Sequence, residues 1–126
     1  MIKFTHEHIW IKPDQDDPSV MTVGITPHAQ DALGDVVFVD LPGVGKHFEA
    51  NEVAGVVESV KAASDLFMPV AGEIVAVNET LRADPALANS DPFGAGWFFK
   101  VRTQQPQALD ALMDEATYAA FATFAS

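Results

Sequence analysis

Lysine is scarce enough in this chain for each one to matter chemically. Seven basic residues face eighteen acidic ones, and five of the seven are Lys3, Lys12, Lys46, Lys61 and Lys100. Lys61 stands in Glu58-Ser59-Val60-Lys61-Ala62-Ala63-Ser64-Asp65, a small polar interval between apolar runs at 53–57 and 66–70. That pattern predicts a β-hairpin whose tip carries one long amine into solvent. A lysine at a turn is ordinarily a solvated charge, so its position alone leaves its role open. As a catalyst it is poorly placed. Activating an amine takes burial, which this interval cannot supply, and the flanking Glu58 and Asp65 are too wet for acid–base work. As a substrate for modification it is well placed. An enzyme must close around the amine, and Ser59, Ala62, Ala63 and Ser64 keep the tip narrow. Acylation would remove the charge and could anchor a group whose chemistry the protein lacks.

Other chemistry is sparse. There is no cysteine, which excludes disulfides, thiolate zinc sites and cysteine nucleophiles. His6 and His8, at i and i+2, would share one face of a strand and could hold a metal. They lack a third ligand, so rim histidines are the simpler reading and no metal is expected. His28 has no catalytic partner nearby and reads as an exposed first-turn residue. Pro42-Gly43-Val44-Gly45-Lys46 has the wrong spacing for a phosphate loop, and nucleophile-elbow and dinucleotide motifs are absent. A net charge of −11 argues against nucleic acid and anionic membranes and favours partners with a positive face. The N-terminus lacks a signal-peptide core, and no apolar run spans a bilayer. A cytoplasmic protein is expected, or a mitochondrial-matrix one if this is a trimmed organellar form.

The elements that must position Lys61 follow from periodicity and turn chemistry. Residues 2–12 predict a strand around Ile9, Trp10 and Ile11. Val20-Met21-Thr22-Val23-Gly24-Ile25 predicts its hairpin partner across a proline-bracketed turn. Thr26 to Gly34 reads as a short helix with threonine as cap, proline in the first position and glycine at the end. Asp35 to Leu41 is nearly continuous in apolar residues and predicts a strand buried on both faces. Gly34-Asp35-Val36-Val37-Phe38-Val39 and Gly72-Glu73-Ile74-Val75-Ala76-Val77 look like a repeat, which would place two similar β units around the lysine hairpin. Asp84-Pro85 predicts a second capped helical turn, and Trp97 to Arg102 a strand with core aromatics. Leu109, Leu112, Met113 and Ala116, then Ala120, Phe121 and Phe124, fall at helical spacing. They predict helices over about 106–124, with Asp114-Glu115 opening the second, packed on a β-barrel or sandwich. The length fits one domain over 1–126.

With those elements in place, Gly55-Val56-Val57-Glu58-Ser59-Val60-Lys61-Ala62-Ala63-Ser64-Asp65 resembles the lipoyl-attachment motif of the glycine cleavage system H proteins. The resemblance extends through Val23-Gly24-Ile25-Thr26, Ala29-Gln30, residues 33–39, Leu41-Pro42, Gly72-Glu73, Val77-Asn78, Asp91-Pro92 and Gly96-Trp97. Biotin carriers usually have methionine on both sides of the lysine; here Val60 and Ala62 stand there. The resemblance implies a mainly β fold, a flattened barrel or sandwich of the lipoyl/biotinyl type with short helices and a C-terminal helical segment. It implies lipoate in amide linkage to Lys61 as a swinging arm, within a tip of Glu58, Ser59, Val60, Ala62 and Asp65 recognised by lipoate ligase or by octanoyltransferase and lipoyl synthase.

It also implies a carrier, not an enzyme, and a monomer. The arm would be loaded with the aminomethyl group of glycine by a pyridoxal-phosphate decarboxylase (P protein). It would be unloaded by a tetrahydrofolate-dependent aminomethyltransferase (T protein) and reoxidised by dihydrolipoyl dehydrogenase (L protein). Tethering keeps the reactive sulfurs at high effective concentration near each partner. A lipoyl relay to other proteins and an unmodified interaction module remain as alternatives. One departure stands out: the family usually reads His-Glu-Trp where this chain has His8-Ile9-Trp10. A docked arm would lose that acid, leaving Asp65, with His8 and Ile9 at the expected cleft.

Overall fold

Apolar alternation yields strands where the sequence predicts them, with one predicted strand cut in two. In the computed structural model residues 2–125 are described, the side chains of 30–32 and 123–125 excepted. Strands β1 (Lys3–Phe4), β2 (Ile9–Pro13), β3 (Val20–Ile25), β5 (His47–Phe48), β8 (Gly72–Val77) and β9 (Phe99–Arg102) form one antiparallel sheet in the order β1-β2-β3-β9-β8-β5. Strands β4 (Val36–Asp40), β6 (Val53–Ser59) and β7 (Ala63–Phe67) form a second, β4-β6-β7. The sheets pack as a sandwich and do not close into a barrel. Val39, Val57 and Leu66 of the smaller sheet join Ile11, Met21, Val23, Ile74, Phe99 and Val101 of the larger in one buried core. Burial of each such side chain contributes about 1.5–3 kcal/mol. The two glycine–acid segments lie one in each sheet, as β4 and β8, on either side of the lysine hairpin in sequence.

The break in the first strand has a local cause. Thr5 Oγ1 accepts the backbone N–H groups of Glu7 and Ile9 at 3.2 and 3.3 Å, and His8 adopts a left-handed φ of 64°. His6-Glu7-His8 is therefore a turn, and its two imidazoles do not share a strand face as expected. β2 then pairs with β3, with Trp10 opposite Gly24. A Cβ on Gly24 would stand 2.7 Å from the indole, so only glycine leaves the ring its place.

Helix α1 (Pro27–Leu33) has the expected punctuation. Thr26 Oγ1 accepts the Ala29 N–H at 3.3 Å, and Gly34 ends the helix at φ 76°. Strand β4 is not buried on both faces. A bulge between Val36 and Phe38 leaves Val37 and Phe38 about half exposed while Val36 and Val39 point inward.

Helix α2 (Glu79–Ala83) was unforeseen. Asn78 caps it through the Leu81 N–H, and the same side chain donates to the carbonyls of Ala95 and Trp97. Asp84 ends α2 and does not cap the next helix, because α3 (Leu87–Ser90) begins three residues later. The C-terminal segment splits into a 3₁₀ turn, Pro106–Ala111, and helix α4 (Glu115–Ala125), opened by Asp114 through the Thr117 N–H. Between them Met113 bridges to Phe4. Tyr118 of α4 stacks on Phe4 at 4.5 Å and joins Trp10 in a second buried cluster. Phe124, expected on the apolar face of α4, lies outside the described side chains.

Candidate functional site

Pairing of Glu58 with Ala63 closes the β6–β7 hairpin and leaves Val60, Lys61 and Ala62 as its tip. Ser59 builds this tip. Its Oγ accepts the N–H groups of Lys61 and Ala62 at 3.2 and 3.1 Å and donates to the Ala62 carbonyl at 2.9 Å. The same carbonyl accepts the Ser59 N–H at 2.8 Å. One hydroxyl thus satisfies the inner polar groups of a three-residue turn, keeping it narrow and defined. Val60, Lys61, Ala62 and Ala63 are all exposed.

The tip also rests on a neighbour. The Val60 N–H donates to the Asp35 carbonyl at 3.1 Å. The Lys61 stem lies across Gly34, with Cε 3.4 Å from where a Cβ would stand there. Asn89 on α3 holds this support from outside: its Oδ1 accepts the Val36 N–H at 2.8 Å and its Nδ2 donates to the Gly34 carbonyl at 3.0 Å. Sequence reading missed Asn89, and its only local signal was its place at the end of a predicted helical turn.

Glu58 and Asp65 lie on the solvent face of the smaller sheet. Phe38, Glu58 and Ala63 occupy one cross-strand row, and Asp40, Val56 and Asp65 the next. Side chains directly opposite share a face, so three carboxylates surround Phe38 and Val56 beside the tip. His8, Ile9 and Asp65, expected together at a cleft, do not share an element. Ile9 is 2 % exposed in the core, whereas Asp65 is exposed on the other sheet.

His8 belongs to a different arrangement. Its Nδ1 lies 2.7 Å from Tyr118 Oη, which lies 2.7 Å from Thr26 Oγ1. Its ring packs 4.4 Å from that of His28. Burial, then the His28 charge, push the His8 imidazole below its usual range, and burial raises the Tyr118 phenol despite the opposing Thr26 bond. With His8 neutral and accepting at Nδ1, the bonds run in one direction, from Ala29 N–H through Thr26 and Tyr118 to His8. His28 is thus a half-buried ring partner and not an exposed first-turn residue. Among the described residues no three His, Asp or Glu side chains cluster as a metal site.

Residues 2–124 match the family described as glycine cleavage H-protein. The chain belongs to that family. As a member it is a lipoyl carrier of the glycine cleavage system. A glycine cleavage system H protein of Chromobacterium violaceum is 54% identical over 118 residues, covering 94% of this chain and 91% of its own. One of Neisseria meningitidis serogroup C is 53% identical with the same coverage. The crystal structure of a glycine cleavage system H protein from Mycobacterium marinum superposes with a TM-score of 0.84 at 41% identity, covering 94% of each chain. H-protein membership agrees with the sandwich and short helices seen here. It also places the chain's partners within the glycine cleavage system. No helix among the described residues is long and apolar enough to cross a membrane.

Proposed function

We propose that Lys61 carries the lipoyl group and that the chain acts as a non-catalytic carrier, working as one domain over 1–126. The observation that carries this reading is the exposed amine on a turn only three residues wide, held by the Ser59 hydroxyl. The site fits the group. Small neighbours let a ligase or transferase surround the amine, and a rigid turn presents it in one place. Attachment forms an amide between Lys61 Nζ and the carboxyl carbon of an activated lipoate or octanoate. The donor's leaving group departs with the bonding electrons, and the amine gives up a proton. Once bound, the lipoyl group supplies a disulfide–dithiol couple able to take a one-carbon amine and two electrons.

The chain's own residues present that group and steer its partners. Asp40, Glu58 and Asp65 form an acidic sheet face beside the tip, suited to partners with basic rims. The partners are the pyridoxal-phosphate glycine decarboxylase, the aminomethyltransferase, dihydrolipoyl dehydrogenase and the lipoylating enzymes, met in the cytoplasm by a monomer. Buried Ile9 offers no polar contact to a docked arm, so Asp65 is the acid left for that task. Intact-mass measurement on protein from its native host tests the attachment. A lipoyl increment on the wild type that disappears in Lys61→Ala is expected. Its absence from the wild type, or its persistence in the variant, would refute the reading.

A further inference from the structure

We infer that Asn89 is a positioning residue for acylation of Lys61, clamping residues 34–36 into the ledge on which the hairpin tip rests. The inference rests on Lys61 being the acylated residue. Strand β4 has β6 on one side only, so its outer edge needs other partners for its backbone groups. Asn89 supplies both. Its carbonyl oxygen takes the Val36 N–H at 2.8 Å and its amide nitrogen gives to the Gly34 carbonyl at 3.0 Å, as a neighbouring strand would. The Asp35 carbonyl between them is bonded to the Val60 N–H of the tip. Successive backbone groups therefore bind Asn89, then the tip, then Asn89 again. Gly34 completes the ledge: its left-handed φ of 76° suits glycine, and the Lys61 stem and Val60 Cγ2 lie at contact distance, 3.4 Å from where a Cβ would stand.

Ser59 fixes the tip's internal shape, and Asn89 fixes where that shape stands relative to the sandwich. An acylating enzyme must bring Nζ within about 3–3.5 Å of the acyl carbon in a set direction, and a misplacement of roughly 1 Å can cost up to about a hundredfold in rate. Loss of Asn89 leaves Gly34 and Val36 without these partners, frees Asp35 to move and broadens the positions open to Lys61. A helper 53 and 55 residues from its targets thus acts on an amine that it does not touch.

The test uses the full chain, a purified lipoate ligase, ATP and free lipoate, with kcat and KM for the protein acceptor read by mass spectrometry. Amide hydrogen exchange at Val60 is followed in parallel. Asn89→Ala is expected to lower kcat/KM about tenfold and to speed Val60 exchange. Asn89→Asp, which retains an acceptor for Val36 but no donor for Gly34, should fall between, and it carries the test if the alanine variant does not fold. Val101→Ala, in the core of the other sheet, should lower the melting temperature without changing either readout. An Asn89→Ala protein lipoylated at the wild-type rate would overturn the proposal, as would an equal loss in Val101→Ala. Failure of the wild type to accept lipoate would instead sink the carrier reading, and Val60 exchange would still decide whether Asn89 holds the ledge.

Discussion

The hydroxyls of Thr26 and Tyr118, 92 residues apart, meet at 2.7 Å in the interior. This contact links the cap of α1 to the C-terminal helix, and His8 extends it to the turn between β1 and β2. Tyr118→Phe keeps the ring stack on Phe4 but deprives Thr26 Oγ1 and His8 Nδ1 of their shared partner. A loss of about 1–3 kcal/mol is expected, the cost of leaving buried polar groups unsatisfied. Urea denaturation of the two proteins measures it, and an unchanged midpoint would show that water replaces the phenol.

Acid should weaken the fold through His8. Its folded-state value is depressed, so between that value and the unfolded one of about 6.5 the unfolded chain binds more protons. Stability is then complete above about pH 6.5 and is lost as pH falls through the folded-state value. His8→Asn, which tolerates the left-handed backbone, should flatten the slope on that limb. Melting curves from pH 5 to 8 for both proteins would show it, and parallel slopes would remove His8 as the cause.

Ser59→Ala should loosen the tip without unfolding the protein. The variant loses one donor and one doubly used acceptor at a half-exposed site, worth about 0.5–1.5 kcal/mol per bond locally. Faster exchange at Lys61 and Ala62, with a small change in overall melting, is expected by NMR. A large drop in melting temperature would mean that the turn anchors the whole sandwich.

The acidic sheet face should act over distance. Glu58→Lys is expected to slow lipoylation several-fold at low salt. The deficit should shrink as the screening length falls from about 10 Å at 0.1 M to 3 Å at 1 M salt. Initial rates across that range check it, and a deficit independent of salt would point to direct contact.

What the sequence made legible was local. Thr26, Pro27 and Gly34 announced α1 because capping acts within one turn, and the small polar interval around Lys61 announced a hairpin tip for the same reason. The tripartite contact of His8, Thr26 and Tyr118 spans up to 110 residues, and no periodicity carries it. Asn89 was invisible for the same reason, since its partners are remote in sequence. Thr5 overrode a strand pattern with one side-chain oxygen, and Asn78 turned what read as a strand end into a helix start. At the candidate site the exposed hairpin tip bearing Lys61 was readable, whereas the backbone it rests on and the burial of Ile9 required three dimensions.

The bulge in β4 is a phase shift. Val36 and Val39 both point inward although three positions apart, because the extra residue between them absorbs the odd count. The interior therefore asks nothing of Val37 or Phe38. Substitutions there can recolour the surface next to the Lys61 hairpin while the inward positions of Val36 and Val39 stay as they were. The fold has in this place a spot where its choice of company can drift without its being rebuilt.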